Sequence, residues 1–311
     1  MSAISVCIAI GTYKRPMMLR RALESLVGLE IPKDVKAFFV LCDNEEEQSG
    51  FKVFREFESR FEFSSFYMHE PRRGLSFMRN AVLSKAIENG ASHLACFDDD
   101  QEVSSDCLQE LFLCMDNYQA DVVSGKVNYQ WPVTTNVPEN LRYFSRYPDE
   151  RATGTKLKFS GTGNVLVNLS LVKALNLRFD NKLNFIGGED QLFFETLYDH
   201  GAKIVACREA VVNEEVPASR ANMTWIYLRN RRFGHTKYYI KTVKEGSLMA
   251  RLKTFLFLLT ELPMCYLIYF RFPFSGFPFR VRHKKRINQA IGFLEAMLGK
   301  KHYEFKNIHG S

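Results

Sequence analysis

The sequence predicts an α/β protein in which helices cover both faces of a mostly parallel sheet, followed by a basic, partly hydrophobic helical extension. Over the first 215 residues, segments rich in β-branched and aromatic residues alternate with segments of helical apolar spacing. This alternation is typical of parallel sheets, whose neighbouring strands are joined by helical crossovers. In addition, the strand-like runs end in polar residues, and the charge changes sign after residue 215.

The strands and helices alternate regularly up to residue 130. One helix, "RPMMLRRALESLVGL", shows the basis of the assignment, because its apolar residues share one face and Pro16 suits a first turn. The predicted strands are Ile4–Ile10, Val35–Asp43, Phe63–Glu70, His93–Asp99 and Asp121–Tyr129. The predicted helices are Pro16–Gly28, Ser49–Arg60, Leu75–Asn89 and Ser104–Tyr118.

Residues 131–158 contain three prolines and no clear period, which predicts a long functional excursion. A loop, a helix and a strand are then predicted within "FIGGEDQLFFETLYDHGAKIVACREAVVNEEVP". The chain is 46% hydrophobic and 25% charged, an ordinary globular composition. Its seven cysteines have no zinc-site spacing, and no signal peptide is recognised, so we expect a reducing, cytoplasmic setting.

The charge divides the chain into two regions. From residue 216 to 311 there are 18 Lys and Arg against 4 Glu and no Asp, a surplus of +14. Subtraction from 42 basic and 35 acidic residues leaves 24 against 31, or −7, for residues 1–215. We therefore predict an acidic domain over 1–215, with halves of about 1–130 and 131–215, and a separate basic region over 216–311.

Polar residues follow four apolar runs, and ligands of open α/β sheets bind beyond the carboxyl ends of the strands. The four places are "GTYKRP" at 11–16, Asp43, the three aspartates of "HLACFDDDQEVSS", and "GGEDQLFF" at 187–194. Each also has an ordinary structural interpretation: a Gly-Thr turn, an Asp-Asn turn, a solvated acidic turn and a capped helix start. These alternatives stay open at the level of single motifs.

The aspartates at 98–100 suit a divalent cation. Asp98 and Asp100 are separated by one residue, and Mg²⁺ characteristically takes one or two protein carboxylates while substrate phosphates complete its coordination. A calcium loop would need Gly at 103 and Glu at 109, whereas the sequence has Val103 and Gln109. We therefore reject the calcium loop.

In order along the chain, these motifs resemble those of the family-2 inverting glycosyltransferases with the GT-A (nucleotide-diphospho-sugar transferase) fold. The series is "GTYKRP", Asp43, "GLSFMRN", the DxD of Asp98–Asp100, "GTGNVLV" and "GGEDQLFF". Within this family, the sequence resembles the subgroup of bacterial exopolysaccharide and lipopolysaccharide transferases of the succinoglycan glucosyltransferase type. In that subgroup, the GGED motif is followed by "VxExVPxxR" and then by an Arg-rich "LRNRRFG". In this sequence they are residues 212–220 and 228–234.

The resemblance implies a role for each matching residue. Asp190 would be the general base, and Asp98 and Asp100 would bind ribose and a Mg²⁺ or Mn²⁺ ion. The nucleotide pocket would consist of Thr12, Arg15, Asp43, Arg79 and Asp98. Further contacts to donor, acceptor or diphosphate are expected from Asp99, Gly163, Asn164, Glu189, Glu214, Arg229 and Arg232. Glu214 stands where related enzymes commonly place a His.

The implied activity is inverting transfer of one hexose from a nucleotide sugar, expected to be UDP-linked, to a growing and lipid-linked bacterial surface glycan. The QxxRW motif of processive synthases does not occur in the sequence, which favours addition of a single sugar. One alternative is a sugar-phosphate nucleotidyltransferase, although "GTYKRP" lacks the second glycine of a GxGxR loop. Another is an inactive membrane-bound carbohydrate-binding scaffold, which the full set of acids disfavours.

The basic region contains "TFLFLLTELPMCYLIYF" at 254–270, a run that Glu261 and Pro263 interrupt. A spanning helix needs about 20 mainly apolar residues, so this short run predicts a re-entrant or interfacial segment. A buried helix pair or a dimer contact is the alternative. The run "RFPFSGFPFRVRHKKR" at 271–286 interleaves Phe with basic residues, as a membrane surface favours, and no nucleic-acid-binding motif accompanies it. We therefore expect attachment to the cytoplasmic membrane face and no nucleic-acid partner.

Overall fold

A computed structural model describes residues 4–131, 151–271 and 277–300. The first half alternates strands and helices as expected. Its elements are β1 (Ile4–Thr12), α1 (Pro16–Val27), β2 (Val35–Asp43), α2 (Ser49–Phe57), β3 (Ser64–His69), α3 (Leu75–Glu88) and β4 (His93–Asp98). All seven predicted elements are confirmed, with bounds that differ by at most three residues.

The second half is less regular. Its elements are β5 (Gln101–Val103), α4 (Cys107–Tyr118), β6 (Val122–Gln130), β7 (Lys156–Leu157), β8 (Val165–Asn168), α5 (Leu169–Ala174), α6 (Glu189–Asp199) and β9 (Ile204–Glu215). Most of the predicted excursion, residues 132–150, lies outside the described residues. The sequence did not predict β5, a strand of three residues directly after the aspartates.

The strands form one sheet in the order β3-β2-β1-β4-β8-β6-β9-β5, with β7 paired to β9. The pairs β1–β2, β1–β4, β2–β3 and β6–β9 are parallel and have the longer ladders, whereas β8, β5 and β7 pair antiparallel. The expected mostly parallel sheet is therefore confirmed for the first four strands, and the second half is mixed. Thr12 pairs with Asp43 and Gly11 with Asp98, so three strands end level at one edge.

Helices cover both faces of the sheet, as predicted. On one face, buried residues of α1, α2 and α4 pack against the sheet, for example Leu23, Phe54 and Leu111. On the other face, α3, α5 and α6 contribute residues such as Leu83 and Phe194. The sheet is thus the middle layer of three, and its edge is where polar side chains can meet a ligand.

The basic region folds as three helices, α7 (Met223–Glu245), α8 (Ser247–Arg271) and α9 (Phe277–Met297). Helices α7 and α9 touch through their backbones, because a Cβ at Gly234 would lie 2.2 Å from Gln289 O and one at Gly292 would lie 1.9 Å from Arg231 O. The structure does not break the run at 254–270, since α8 continues through Pro263; the re-entrant or interfacial position of this run stays a prediction. The residues Ser247–Phe270 of α8 are long and apolar enough to cross a membrane, judged by length and composition.

Candidate active site

The three aspartates that follow β4 meet a cation from the chain itself. Arg15, directly before α1, donates from Nη1 to Asp99 Oδ1 at 3.1 Å and to Asp100 Oδ2 at 3.3 Å. The Thr12 hydroxyl donates to Asp99 Oδ2 at 2.8 Å. Burial raises the pKa of Asp99 to about 6, although Arg15 and Thr12 oppose that change. Asp99, which the motif left without a specific role, therefore ties the end of β4 to the end of β1.

Asp98 stands among other acids. Burial raises its pKa to about 7, and the charges of Asp100, Glu214 and Asp99 act in the same direction. Glu214 reaches this place because β5 folds back and pairs with β9, which sets Gln101 beside Glu214. Gln101 links the two acids, since Oε1 accepts from the Asp98 N–H at 3.0 Å and Nε2 donates to Glu214 Oε2 at 3.4 Å. A cation bound here would relieve the repulsion.

The glycine segment Gly161–Gly163, ahead of β8, connects this cluster to Asp190. A Cβ on Gly163 would lie 2.5 Å from Asp98 Oδ2 and 2.7 Å from Gln101 Nε2, so only glycine fits against these side chains. A Cβ on Gly161 would lie 3.8 Å from Asp190 Oδ2. The two glycines thus border Asp98, to which the resemblance assigns donor binding, and Asp190, to which it assigns the role of general base.

Asp190 and Glu189 form the first turn of α6. Their position depends on a left-handed backbone at Gly187 and Gly188, with φ of 83° and 93°. Helix α7 presses on this turn, because the Thr236 hydroxyl donates to Gly187 O at 2.7 Å and a Cβ on Gly188 would lie 2.1 Å from Thr236 Cγ2. The glycine pair therefore admits the neighbouring helix, while the Asp190 carboxylate lies beside the glycine segment 161–163.

A buried ion pair lies beneath Asp190. Arg79 of α3 bonds to Glu189, with 16% and 2% of the two side chains exposed. Burial raises the pKa of Glu189, and the charge of Arg79 opposes this. The Arg79 charge also interacts with Asp190 and with Asp98. One guanidinium is therefore shared by the acids of both motifs.

The structure places the remaining predicted residues in three ways. Arg232 of α7 comes near the site, since its charge lowers the pKa of Glu189. Arg229 instead stacks on Trp225 and Phe233, with its guanidinium carbon 5.0 and 5.4 Å from the ring centres. Asp43 closes β2, is fully buried and accepts bonds from the N–H groups of residues 45 and 50 and the hydroxyl of residue 67.

Asn164 differs from expectation. It was predicted to contact donor or acceptor, but it is fully buried and holds the sheet together. Its Nδ2 donates to Lys126 O at 3.0 Å and to Ala210 O at 2.9 Å, while Oδ1 accepts from the Cys107 thiol. Both hydrogens of the amide nitrogen are thus bonded to backbone carbonyls, so in this structure the side chain supports the sheet.

Sequence reasoning missed Gln101 and Arg73. Gln101 lies in the short strand that the pattern did not reveal, although its alternation with Val103 was a weak signal. Arg73 precedes α3 and lies between two rings, 4.8 Å from the centre of Tyr13 and 5.9 Å from that of Phe185. It thereby joins the loop after β1 to the turn before α6.

The residues around Asp98 are suited to a metal that is completed by substrate. Within the described ranges, no group of three or more His, Cys, Asp or Glu residues forms a ready-made metal cage. Asp98 and Asp100 are instead close enough for the charge of Asp100 to raise the pKa of Asp98. Two carboxylates of this kind suit Mg²⁺ or Mn²⁺ when phosphate oxygens supply further ligands.

Comparison with known sequences gives two findings. Residues 7–175 match the model of the family described as Glycosyl transferase family 2. The chain is also 30% identical over 236 residues to the succinoglycan biosynthesis protein ExoM of Rhizobium meliloti (strain 1021), which covers 75% of this chain and 74% of that protein.

Solved structures support the fold. The crystal structure of S. aureus TarS 1–349 in complex with UDP has a TM-score of 0.55 at 14% identity, covering 96% of this chain and 92% of that one. Mannosyltransferase PcManGT from Pyrobaculum calidifontis, in complex with GDP-Man and Mn²⁺, has a TM-score of 0.61 at 14% identity, covering 95% and 88%. These likenesses confirm the GT-A fold.

Proposed function

Because the chain belongs to glycosyl transferase family 2 and is a glycosyltransferase, we propose that it transfers a single hexose from a nucleotide sugar to a growing glycan with inversion. Arg79 carries this proposal, since its charge interacts both with Asp190, the proposed base, and with Asp98 of the proposed donor site. The glycine segment 161–163 borders the same two acids. A base and a donor site connected in this way favour direct attack of an acceptor on the bound sugar.

In the proposed reaction, a hydroxyl of the acceptor attacks the anomeric carbon of the donor. The new C–O bond forms as the bond to the diphosphate oxygen breaks, and that oxygen keeps the electron pair. Asp190 takes the hydroxyl proton, a contribution of about 10²–10⁴-fold in rate for a well-placed base. A single displacement from one face inverts the configuration at the anomeric carbon.

The charge of the leaving diphosphate needs compensation. Asp98 and Asp100 would bind a Mg²⁺ or Mn²⁺ ion, which would supply positive charge to the leaving oxygens. Arg232, whose charge acts on Glu189, would add positive charge. Arg15 bonds to Asp99 and Asp100, so it orients the same carboxylates. Thr12 and Asp43 line up at the ends of β1 and β2, where the nucleotide is expected.

We propose a UDP-linked hexose as donor and a lipid-linked glycan at the cytoplasmic membrane face as acceptor. The similarity to ExoM supports an exopolysaccharide of the succinoglycan type. The complexes of structural neighbours with UDP, UDP-GlcNAc and GDP-Man support a nucleotide-sugar donor. Membership of family 2 weighs against the nucleotidyltransferase alternative, and the assembled acids weigh against an inactive scaffold.

The test measures release of nucleoside diphosphate from UDP-, GDP- and dTDP-sugars, with Mg²⁺, Mn²⁺ or EDTA. We expect metal-dependent release from one donor class, including slow hydrolysis when water replaces the acceptor. Asp190→Asn should lower kcat by about 10²–10⁴-fold and leave donor affinity within twofold. Asp199→Asn is the matched control, because Asp199 ends the same helix and pairs with Lys244 at 2.7 Å. Equal rates for the two variants would contradict the role of Asp190.

A further inference from the structure

Helix α8 has an uncovered apolar face. Six large apolar residues at helical spacing each have more than half of their surface exposed: Leu248, Leu252, Leu256, Leu259, Leu267 and Phe270. The apolar stretch Ser247–Phe270 is 24 residues long, and only 17% of its most apolar part is buried. Soluble monomers rarely expose an apolar surface this continuous without a partner for it.

The opposite face of α8 packs on protein. Thr254, Leu258 and Cys265 are buried, and Leu258 packs with Phe293 of α9. Glu261 lies on this inner side and accepts from Arg286 Nε of α9 at 2.7 Å. A helix that crosses a bilayer alone meets lipid on all sides, whereas α8 keeps a charged pair and a packed neighbour on one side. This arrangement fits a helix that lies in the plane of a membrane surface.

The charge around α8 indicates the kind of surface. The three glutamates of α7, α8 and α9 are all paired, Glu245 with Lys253, Glu261 with Arg286 and Glu295 with Arg231. The bundle therefore keeps its large surplus of cations, and Arg251, Arg282 and Lys284 are exposed. An exposed apolar stripe and exposed cations in one helical bundle are complementary to lipid acyl chains beneath anionic headgroups.

We propose that α8 is an in-plane anchor that binds the surface of an anionic lipid bilayer through its exposed apolar face. Helix α7 connects this anchor to the site, because Thr236 bonds to Gly187 O at 2.7 Å and Tyr239 bonds to Asp180 Oδ2 at 2.6 Å. Bilayer binding would thus fix the turn that carries Asp190 relative to the lipid surface. The anchor deepens the proposed function and rests on it only for the link to a lipid-linked acceptor.

Vesicle flotation of the full chain tests the anchor without donor or acceptor. We expect binding to vesicles containing phosphatidylglycerol, weaker binding to phosphatidylcholine alone, and a decrease in 0.5 M salt of about tenfold or more. Leu259→Glu should lower partitioning by on the order of 100-fold, since it replaces an exposed leucine that would enter the lipid by a charged side chain. Leu113→Glu is the matched control, because Leu113 is 47% exposed against 56% for Leu259 and lies on α4.

Four outcomes decide the proposal. Loss of flotation in Leu259→Glu alone supports it, provided that both variants keep the wild-type free energy of unfolding in urea. Equal flotation of both variants overturns it. If the wild type is a dimer that Leu259→Glu dissociates without changing vesicle binding, the exposed face belongs to an interface with a second copy. That outcome also overturns the anchor. Flotation together with no turnover of any donor refutes only the proposed function.

The in-plane geometry has its own measurement. Leu248, Leu259 and Phe270 are replaced by Trp one at a time, in a chain whose native Trp131 and Trp225 are replaced by Phe. Quenching of the Trp fluorescence by lipids brominated at known depths then gives the depth of each position. An in-plane helix gives equal depths for all three. A spanning helix puts the middle position deeper than the ends by about 16 Å, from a rise of ~1.5 Å per residue. The second pattern would refute the in-plane anchor.

Discussion

Replacing Arg79 by Met should destabilise the fold strongly, because Glu189 would lose its counter-ion while buried. Only 2% of the Glu189 side chain is exposed, and Arg79 is its ion-pair partner. Removing one member of a buried ion pair typically costs about 3–5 kcal/mol, since the remaining charge stays in a poorly solvated place. Glu189 can avoid part of this cost by taking up a proton. The loss should therefore be larger at pH 8 than at pH 5.

The reverse change, Glu189→Gln, should cost less. Arg79 would still face the charges of Asp190 and Asp98, so its own charge stays compensated. We expect about 1–2 kcal/mol, the scale of a lost charged hydrogen bond. The double variant should be more stable than the sum of the single effects predicts, with a coupling of about 2–3 kcal/mol.

Urea denaturation of the four proteins measures the coupling. The pair Arg60–Glu24 is the control, since it joins side chains that are 43% and 59% exposed. An exposed pair contributes at most about 1 kcal/mol, so Arg60→Met should change the free energy of unfolding little. Additive effects of Arg79→Met and Glu189→Gln, or a loss in Arg79→Met no larger than in Arg60→Met, would refute the buried counter-ion argument.

Two further predictions concern the donor side. Gly163→Ala should lower nucleotide release at least about tenfold, because the new methyl group displaces Asp98 and Gln101 from the positions they hold at 2.5 and 2.7 Å. Gly28→Ala, whose Cβ would meet nothing closer than 4.0 Å, should leave release unchanged, and an equal effect of both would contradict the steric argument. Asp98→Asn should stabilise the metal-free protein at pH 8 and not at pH 4, as measured by urea denaturation. Folding raises the pKa of Asp98 from 3.8 to about 7. Ionised Asp98 therefore destabilises the folded state at a pH above its unfolded pKa. The cost is at most about 4 kcal/mol, and about 1–3 kcal/mol once neighbouring acids share the charge. A loss of stability at pH 8 would contradict this.

The fold was largely predictable because its first half obeys local rules. Apolar runs rich in β-branched residues became β1–β4, and the helices between them bury the faces that their spacing indicated. The strand β5 was not predictable, since three residues carry no period and their pairing partner lies about 110 positions away in β9. The continuity of α8 was also missed. Pro263 lies inside the helix, although propensity alone would end a helix before it, because packing on α7 and α9 outweighs that local preference.

The site was predictable in membership more than in detail. Strand ends and glycine pairs predicted Asp98, Glu189 and Asp190, and the structure brings these acids around Arg79, since parallel strands bring their carboxyl ends to one edge. The sequence could not separate Asn164, which bonds the sheet together, from a residue that faces the substrate, because both stand beside the same glycine motif. The distinction depends on the direction of the side chain. At Asn164 the positive φ of 67° sets this direction, and the sequence pattern does not reveal it.

The acidic end of β4 is best understood from its charge balance. Arg15 meets Asp99 and Asp100, and Thr12 completes the bonding of Asp99. Arg79 also acts on Asp98, but it is already paired with the buried Glu189. Negative charge therefore remains at the three aspartates, and burial together with the charge of Asp100 raises the pKa of Asp98. A buried acid surrounded by like charges is costly unless a cation compensates it, and this cost supports the proposal that a metal ion binds there together with the substrate. In this view Asp99 and Arg15 set the geometry, while Asp98 and Asp100 keep the charge that a metal and diphosphate complex would use.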